Sequence, residues 1–509
     1  MSILRFSGKP HFRLFVHPDQ TVVARADGRF VMRNLIGDWK TAYRTGTEWH
    51  CRLMDAIGRG ASFADIRGAI RPLLDEEQTA RALEQINDLF VGEVVVVKLV
   101  PEDGAALVSL APHGVEYTPQ FAPVADDEKL ALSRFAMLRR EEGRVLLETS
   151  LKPYHLLSET PAGDALLGRF LRAAAVSDVL SQWPASWREP LRDLLALLKH
   201  DGILLPAPAN KDCPGRRDEG AAASQWDVHD LWMHSTSRLG CTQAGYGEFG
   251  GVFPNIGRSE PEPAVRPSWD GETIELARPD MEKLYSEDRP FAAVQDERRT
   301  VRAYDEQHPI SAEQLGHFLY RSCRILFRKE VSVASSRSDT PGRAVLDLAW
   351  RPYPCGGASY ELETYLSVDR CAGIDSGFYH YDAARHCLVK LGGRTAEMDK
   401  ALRIAFLATG LQARPQVVLH MAARFRRVTW KYRAVAYSGM LRNAGVLYQT
   451  FYLVATAMGI APCGLGAGDI ELFRKMTGLD PMVEGSVGDF GLGSLPAGYR
   501  AQSRETWFN

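Results

Sequence analysis

Arg351-Pro352-Tyr353-Pro354-Cys355-Gly356-Gly357-Ala358-Ser359-Tyr360-Glu361-Leu362-Glu363 joins prolines and paired glycines to an apolar–polar alternation. This is the signature of a tight turn that runs into a strand. Glycine allows a backbone to come close to a planar ring, and N–H groups left free there can bond heteroatoms at the ring's edge. On spacing alone an ordinary turn fits equally well. Around this stretch, residues 296–509 read as short strands mixed with long helices. Amphipathic patterns span 311–322 and 437–459, and a strand pattern covers 416–419. The helix start at Pro309-Ile310-Ser311-Ala312-Glu313 carries a serine ahead of an acidic first turn.

Just upstream, Glu297-Arg298-Arg299-Thr300-Val301-Arg302-Ala303-Tyr304 places three arginines within five residues. Guanidinium groups so spaced can hold a phosphate bidentately, and a solvated basic turn is the plainer alternative. Further along, Pro462-Cys463-Gly464-Leu465-Gly466-Ala467-Gly468-Asp469 tempts a nicotinamide-dinucleotide reading. That fingerprint should follow a strand and open a helix, whereas here the string is expected to follow a helix ending at Gly459. On the helix 437–459, Tyr437, Leu441, Ala444, Tyr448, Phe451, Ala455 and Met458 form one apolar stripe suited to a core or a subunit interface.

Four ordered blocks make residues 280–509 resemble the FMN-dependent nitroreductase superfamily. They are Arg298 to Arg302, the PCGGASYELE stretch, Gly377-Phe378-Tyr379-His380-Tyr381, and Gly485-Ser486-Val487-Gly488-Asp489-Phe490-Gly491-Leu492-Gly493. More narrowly, the chain resembles the dehydrogenase branch that oxidises azolines in peptide biosynthesis, and residues 226–240 resemble that branch's lead-in. The resemblance implies FMN as cofactor. It assigns Arg298, Arg299, Thr300, Arg302, Pro354, Cys355, Gly356, Gly357, Pro462, Gly464, Leu465 and Gly466 to the flavin, with Arg500 or Arg504 as a late basic contact for its phosphate.

Lys431 and Tyr432 in Trp430-Lys431-Tyr432-Arg433 match the branch's catalytic pair. Aromatising an azoline needs a base for a carbon-bound proton while hydride leaves. A tyrosine of ordinary pKa is a poor base at neutral pH, but an adjacent ammonium can favour its phenolate. Tyr432 helped by Lys431 is therefore the expected base. The chain departs from the family at Tyr437-Ser438 and Gly445-Val446, where members often carry Tyr-Arg and Gly-His, so the exact substrate stays open.

The expected fold class is α+β. A nitroreductase-like flavin domain over 281–509, with a mixed sheet flanked by helices, follows two small winged-helix-like modules over 1–105 and 130–206, and 207–280 serves as linker and lead-in. In each module strands precede helical spacings, such as Trp49, Leu53 and Ile57 or Leu191, Leu194, Leu195 and Leu198, and a strand closes the unit. Residues 206–225 are rich in Pro, Gly, Ala and charge and mark an exposed linker. The layout resembles that of cyanobactin oxidases, whose front modules are related to peptide-recognition elements. A hairpin edge beside a helix can accept an extended leader peptide as an added strand.

Lys+Arg 61 against Asp+Glu 63 leaves a net charge of −2, which gives no basic field for nucleic acid. No window approaches a membrane span and no apolar signal segment opens the chain, so a cytoplasmic protein is expected. The eight cysteines show no C-x-x-C and no Cys/His ligand spacing, which favours reduced, mostly buried thiols over disulfides or zinc. His229, His234, His380 and His420 likewise have no metal partner in sequence. The functional expectation is an FMN-dependent azoline oxidase that makes thiazole or oxazole in a peptide, with dioxygen as electron acceptor, a homodimeric state and a cyclodehydratase as possible partner. An NAD(P)H-dependent nitro or quinone reductase and a non-catalytic peptide-binding scaffold remain the alternatives. Thiazoline against oxazoline preference, and a ribosomal against a nonribosomal peptide, are not fixed by the sequence.

Overall fold

The computed structural model describes residues 3–16, 20–24, 30–34, 37–43, 48–91, 95–101, 104–112, 117–141, 143–207, 219–238, 253–335, 342–432 and 434–499. Arg500 and Arg504 lie outside these. The chain divides into two compact units at Gly250/Gly251.

In the first unit one order of elements occurs twice. Helix Glu48–Gly58, the two-residue strand Ala61–Ser62, helices Phe63–Ile70 and Glu76–Val91, and strand Val95–Leu99 form the first copy. Helix Pro161–Arg169, strand Ala174–Ala175, helices Val176–Ser181 and Ala185–His200, and strand Leu204–Pro206 repeat it. In each copy a central strand, Phe12–Val16 or Lys129–Leu132, pairs antiparallel with the short strand on one side and the closing strand on the other. Local signals support the repeat: Ser62 and Asp65 form a reciprocal capping box, and Thr160 caps the helix of the second copy. The copies are not separate bodies, because Val95–Leu99 also pairs with Val108–Pro112, which continues through Tyr154–Ser158, Arg144–Thr149 and Ala136–Glu141 into one seven-stranded sheet. A single apolar cluster reaches from Phe6 to Leu204 across both.

The expected linker is described from residue 219 onward, and there it is tied down. Glu219 pairs with the Arg134 guanidinium, which also donates to the carbonyls of Ala223 and Trp226, each at 2.9 Å. Residues 253–280 pack with the second unit. Thr273–Glu275 is an edge strand of its sheet, Arg266 meets Glu484 at 3.1 Å, and Trp430 Nε1 donates to Ser259 O.

The second unit is built on a seven-stranded sheet in the order 273–275, 387–393, 377–382, 362–368, 417–424, 484–494, 460–465. The α+β class is as expected, but the sheet is antiparallel at every described pairing rather than mixed. A helix between two strands returns the chain to the sheet without fixing the end from which it enters, so helix–strand alternation did not specify parallel neighbours. Strand Val417–Arg424 is buried on both faces. Val417, Leu419, Met421 and Ala423 join the core under helices Ala312–Cys323 and Ala436–Met458, while Val418 and Ala422 meet Met398, Leu402 and Phe473 on the other side.

The long helix Ala436–Met458 ends at Gly459, whose φ of 66° closes it in the left-handed conformation. Its buried face is Met440, Ala444, Leu447, Phe451 and Ala455. This differs from the stripe expected from sequence: Tyr437 is exposed, and Tyr448 uses its hydroxyl on Leu465 O and Asp489 O. The apolar face is core of its own unit and gives no support to a subunit interface.

Candidate active site

Two polar clusters border the long helix. The first forms around Asn443. Gly356 N donates to Asn443 Oδ1 at 3.1 Å, and Asn443 Nδ2 donates to Glu361 Oε1 at 2.8 Å. The Cys355 thiol donates to Glu361 Oε2 at 3.3 Å while accepting from Tyr360 N at 3.1 Å. Glu361 is fully buried, so its carboxyl is held by neutral donors, the amide and the thiol. Burial pushes the Cys355 thiol well above its ordinary range, reinforced by the Glu361 charge.

Lys431 and Tyr432 sit against this loop after the short helix Phe425–Thr429. Lys431 Nζ donates to Gly357 O at 2.9 Å and lies 5.3 Å from the centre of the Tyr432 ring. Gly357 needs its φ of 59°, and a Cβ there would fall on the Tyr432 hydroxyl and within 2.7 Å of Lys431 Nζ. Of the six non-glycine residues with positive φ among the described residues, Ala358 and Tyr360 lie in this loop and Phe253 lies against it, its N donating to Lys431 O, while Ala434 follows Tyr432 by two residues. Such backbone costs about 1–3 kcal/mol per residue and persists only where the surroundings impose it. Arg427 imposes part of it. Its Nε and Nη2 both donate to Ser359 O, at 2.9 and 2.6 Å, inside the strained loop.

The acid–base expectation changes here. Burial pushes Tyr432 up, away from the phenolate, and the nearby Cys355 sulfur pushes it the same way. Burial lowers Lys431, the nearby Cys355 sulfur opposes this in part, and the Arg427 guanidinium adds to the lowering. Residue adjacency suggested a cation serving a phenolate, but half-burial disfavours both charged forms. Both shifts run toward the uncharged forms, the amine for Lys431 and the phenol for Tyr432.

The second cluster forms around Tyr452. Its hydroxyl meets Thr300 Oγ1 at 2.8 Å and accepts from Gly464 N at 2.7 Å, while the Arg298 guanidinium lies over its ring at 5.2 Å. Val301 N donates to Pro462 O at 2.8 Å, which brings the arginine block and the glycine turn side by side. Among the described residues neither Arg298 nor Arg302 is in an ion pair, and Arg302 is exposed, so both are available to a phosphate. Arg299 Nε instead donates to Glu297 O. Leu465 is buried and Gly466 exposed at the end of the strand, and Pro354 is exposed ahead of the first cluster.

The reason given for setting aside a dinucleotide at 462–469 does not hold, because strand Ile460–Leu465 precedes the glycines and helix Ile470–Thr477 follows them. What closes that turn to a phosphate is Asp469, whose carboxylate accepts from Glu471 N and Leu472 N at the helix start. The strand is also an antiparallel edge, not part of a βαβ unit.

Asn443, Glu361, Tyr452 and Arg427 were not singled out from sequence. An asparagine flanking a buried helical face was a usable signal for the first, and the quoted PCGGASYELE stretch already held the second. His420 lies between Ser367 Oγ at 2.9 Å and Asp489 Oδ1 at 2.8 Å, and with Ser367 fully buried this triad fastens three strands together. His380 faces Glu363 at 3.3 Å. Among the described residues no group of three His, Cys, Asp or Glu could hold a metal, six cysteines are free thiols, and no helix is long and apolar enough to cross a membrane.

Residues 296–494 match the nitroreductase family model and residues 130–243 the model of cyanobactin oxidase ThcOx. A Methanocaldococcus jannaschii protein named as a nitroreductase is 28% identical over 197 residues, 39% of this chain and 86% of its own length. The trifolitoxin-processing protein TfxB of Rhizobium leguminosarum bv. trifolii is 24% identical over 165 residues, 31% of this chain and 44% of its own. A nitroreductase-type structure from Anabaena variabilis superposes with a TM-score of 0.32 at 19% identity, over 47% of this chain and 43% of its own. The E. coli microcin synthetase McbBCD complex with truncated pro-MccB17 bound gives 0.32 at 18% identity, over 45% and 76%. The chain thus spans less than half the length of TfxB and of the Anabaena structure. A nitroreductase-family match at 296–494 behind a segment that matches cyanobactin oxidase supports an oxidoreductase.

Proposed function

We propose that this protein oxidises thiazoline or oxazoline rings of a peptide to thiazole or oxazole, using FMN. The observation that carries the reading is Lys431, lowered toward its neutral form and aimed over the Gly356–Gly357 backbone in a strained loop. Arg298, Thr300 and Arg302 would hold the flavin phosphate beside strand residues 462–464, and exposed Gly356 and Gly357 would border the ring. Bound there, FMN would supply a two-electron acceptor for the hydride of the azoline carbon, with dioxygen as the final electron acceptor. Lys431 takes the proton from the adjacent ring carbon, Tyr432 as a phenol donates a hydrogen bond to the substrate, and the 355–361 loop keeps both in register.

Asn443 and Tyr452 are nine residues apart, two and a half turns at 3.6 residues per turn, so they leave opposite sides of the helix roughly 13 Å apart. This supports a homodimer in which one protomer's arginine cluster and its partner's Lys431 loop complete one site. The front unit is proposed to recruit the peptide, and a cyclodehydratase would supply the ring. The test is direct: yellow protein mixed anaerobically with an azoline peptide should bleach, and the product should have lost two hydrogens per ring. Bleaching by NADPH but not by the peptide would overturn the assignment in favour of a reductase.

A further inference from the structure

Beside Lys431 lies a shallow cleft that the chemistry above does not use. Its apolar walls are Pro261, Leu346, Leu348 and Trp430, its charged lining is Glu262, Arg426 and Arg427, and Lys431 stands at its edge with the proposed site. The charges do not balance. Arg427 spends its donors on the carbonyls of Ser359, Glu262 and Asp347, and among the described residues no carboxylate meets it at ion-pair distance. Glu262 faces Arg424 at 3.2 Å and Arg426 at 3.9 Å. Arg424 is also answered by Glu363 at 3.6 Å and Asp347 by Arg328 at 2.9 Å, so in the cleft's own lining Glu262 is the carboxylate that faces Arg426 and Arg427. Burial first and then the Arg424 charge bring Arg427 down to about 10, against the opposing pull of Asp347, Glu262 and Glu361. Arg426 is half exposed at the mouth.

Apolar walls with surplus positive charge suit an anion on a short aliphatic stem. The cleft shares Gly357 and Lys431 with the proposed site, and one extended residue spans about 3.3–3.6 Å, so a ring at Lys431 brings its neighbour to the cleft. We infer that the cleft binds a carboxylate of the peptide, carried by the residue next to the azoline as an acidic side chain or as the free C-terminus. This rests on the reading that Lys431 meets the ring.

Calorimetric binding separates the two readings because it needs no turnover. Four thiazole tetrapeptides, with Glu or Gln after the ring and with a free or amidated C-terminus, would be titrated into the flavin-loaded protein. A charged hydrogen bond of about 1.5–3 kcal/mol predicts roughly tenfold or greater preference for the carboxylate. The preference should shrink with salt, vanish in Arg426→Gln and persist in part in Arg426→Lys. Preference for Glu in the amidated pair identifies the side chain, and preference for the free acid in the Gln pair identifies the terminus. Equal affinities across the set, absence of binding, or a preference that survives Arg426→Gln overturns the inference. Oxidation of the matching thiazoline peptides is scored separately and judges the proposed reaction alone.

Discussion

At Asn443 the long helix faces a loop with a left-handed glycine, two left-handed non-glycine residues and a buried carboxyl held by neutral donors. At Tyr452, on the helix's other side, it faces ordinary extended backbone joined by short hydrogen bonds, with Arg298 and Arg302 in no ion pair among the described residues. In the proposed reaction the first flank would fix the atoms to which protons move, and the second would hold the flavin. If that division is right, mutations at the first flank should change rate and mutations at the second should change flavin affinity.

The largest effect is expected at Lys431. Lys431→Ala should lower kcat by a factor on the order of 100 or more, as for loss of a general base, with flavin retained. The wild-type pH profile should carry the same signature. Neutral amine is the active form, so kcat/KM should rise with pH through a midpoint below the ordinary lysine value, because burial lowers the group. Lys431→Arg should not rescue, since guanidinium stays charged. A profile that falls with pH in this range would remove lysine as the base. Tyr432→Phe should cost less, roughly tenfold, because a phenol held above its ordinary pKa is a hydrogen-bond donor and not the base. Equal losses in the two variants would restore the phenolate.

Gly357→Ala tests the strain. A methyl group at this φ must displace Tyr432 and Lys431, so kcat should fall about tenfold or more while flavin affinity stays near normal. Asn443→Ala frees Gly356 N and half of Glu361's bonding, a loss of about 1–3 kcal/mol that should appear as a lowered Tm together with reduced kcat.

Much of this was legible in the residues. Ser311 with Gln314, Gly459, and the Phe12–Val16 strand follow from capping, left-handed termination and β-propensity, each of which acts within a few residues. The loop at 355–357 and its meeting with Lys431 followed from motif resemblance, not from local pattern. Strand direction, the fusion of the two front copies through 95–99 and 108–112, and the sign of the Tyr432 shift depend on contacts far apart in sequence. Periodicity is blind to these. Asn443 shows the limit well: its helical position was readable, but that its two amide atoms satisfy a glycine N–H and a carboxyl 87 and 82 residues away was not.

The smallest expected effect is at the second flank and is the sharpest test of the division. Tyr452→Phe deletes one hydroxyl shared by Thr300 Oγ1 and Gly464 N and leaves the ring under Arg298 in place. Neutral hydrogen bonds contribute about 0.5–1.5 kcal/mol each, so FMN affinity should weaken roughly five- to tenfold as the 300–302 and 462–464 segments loosen. Phe490, which meets the ring edge-on, keeps its contact, so Tm of the protein without flavin should hardly move. At saturating FMN, kcat should match wild type, because nothing on this side touches Lys431 within one protomer. A kcat that stays depressed when every site is filled would mean that the two flanks act as one unit, and the separation of holding from chemistry along the helix would fail.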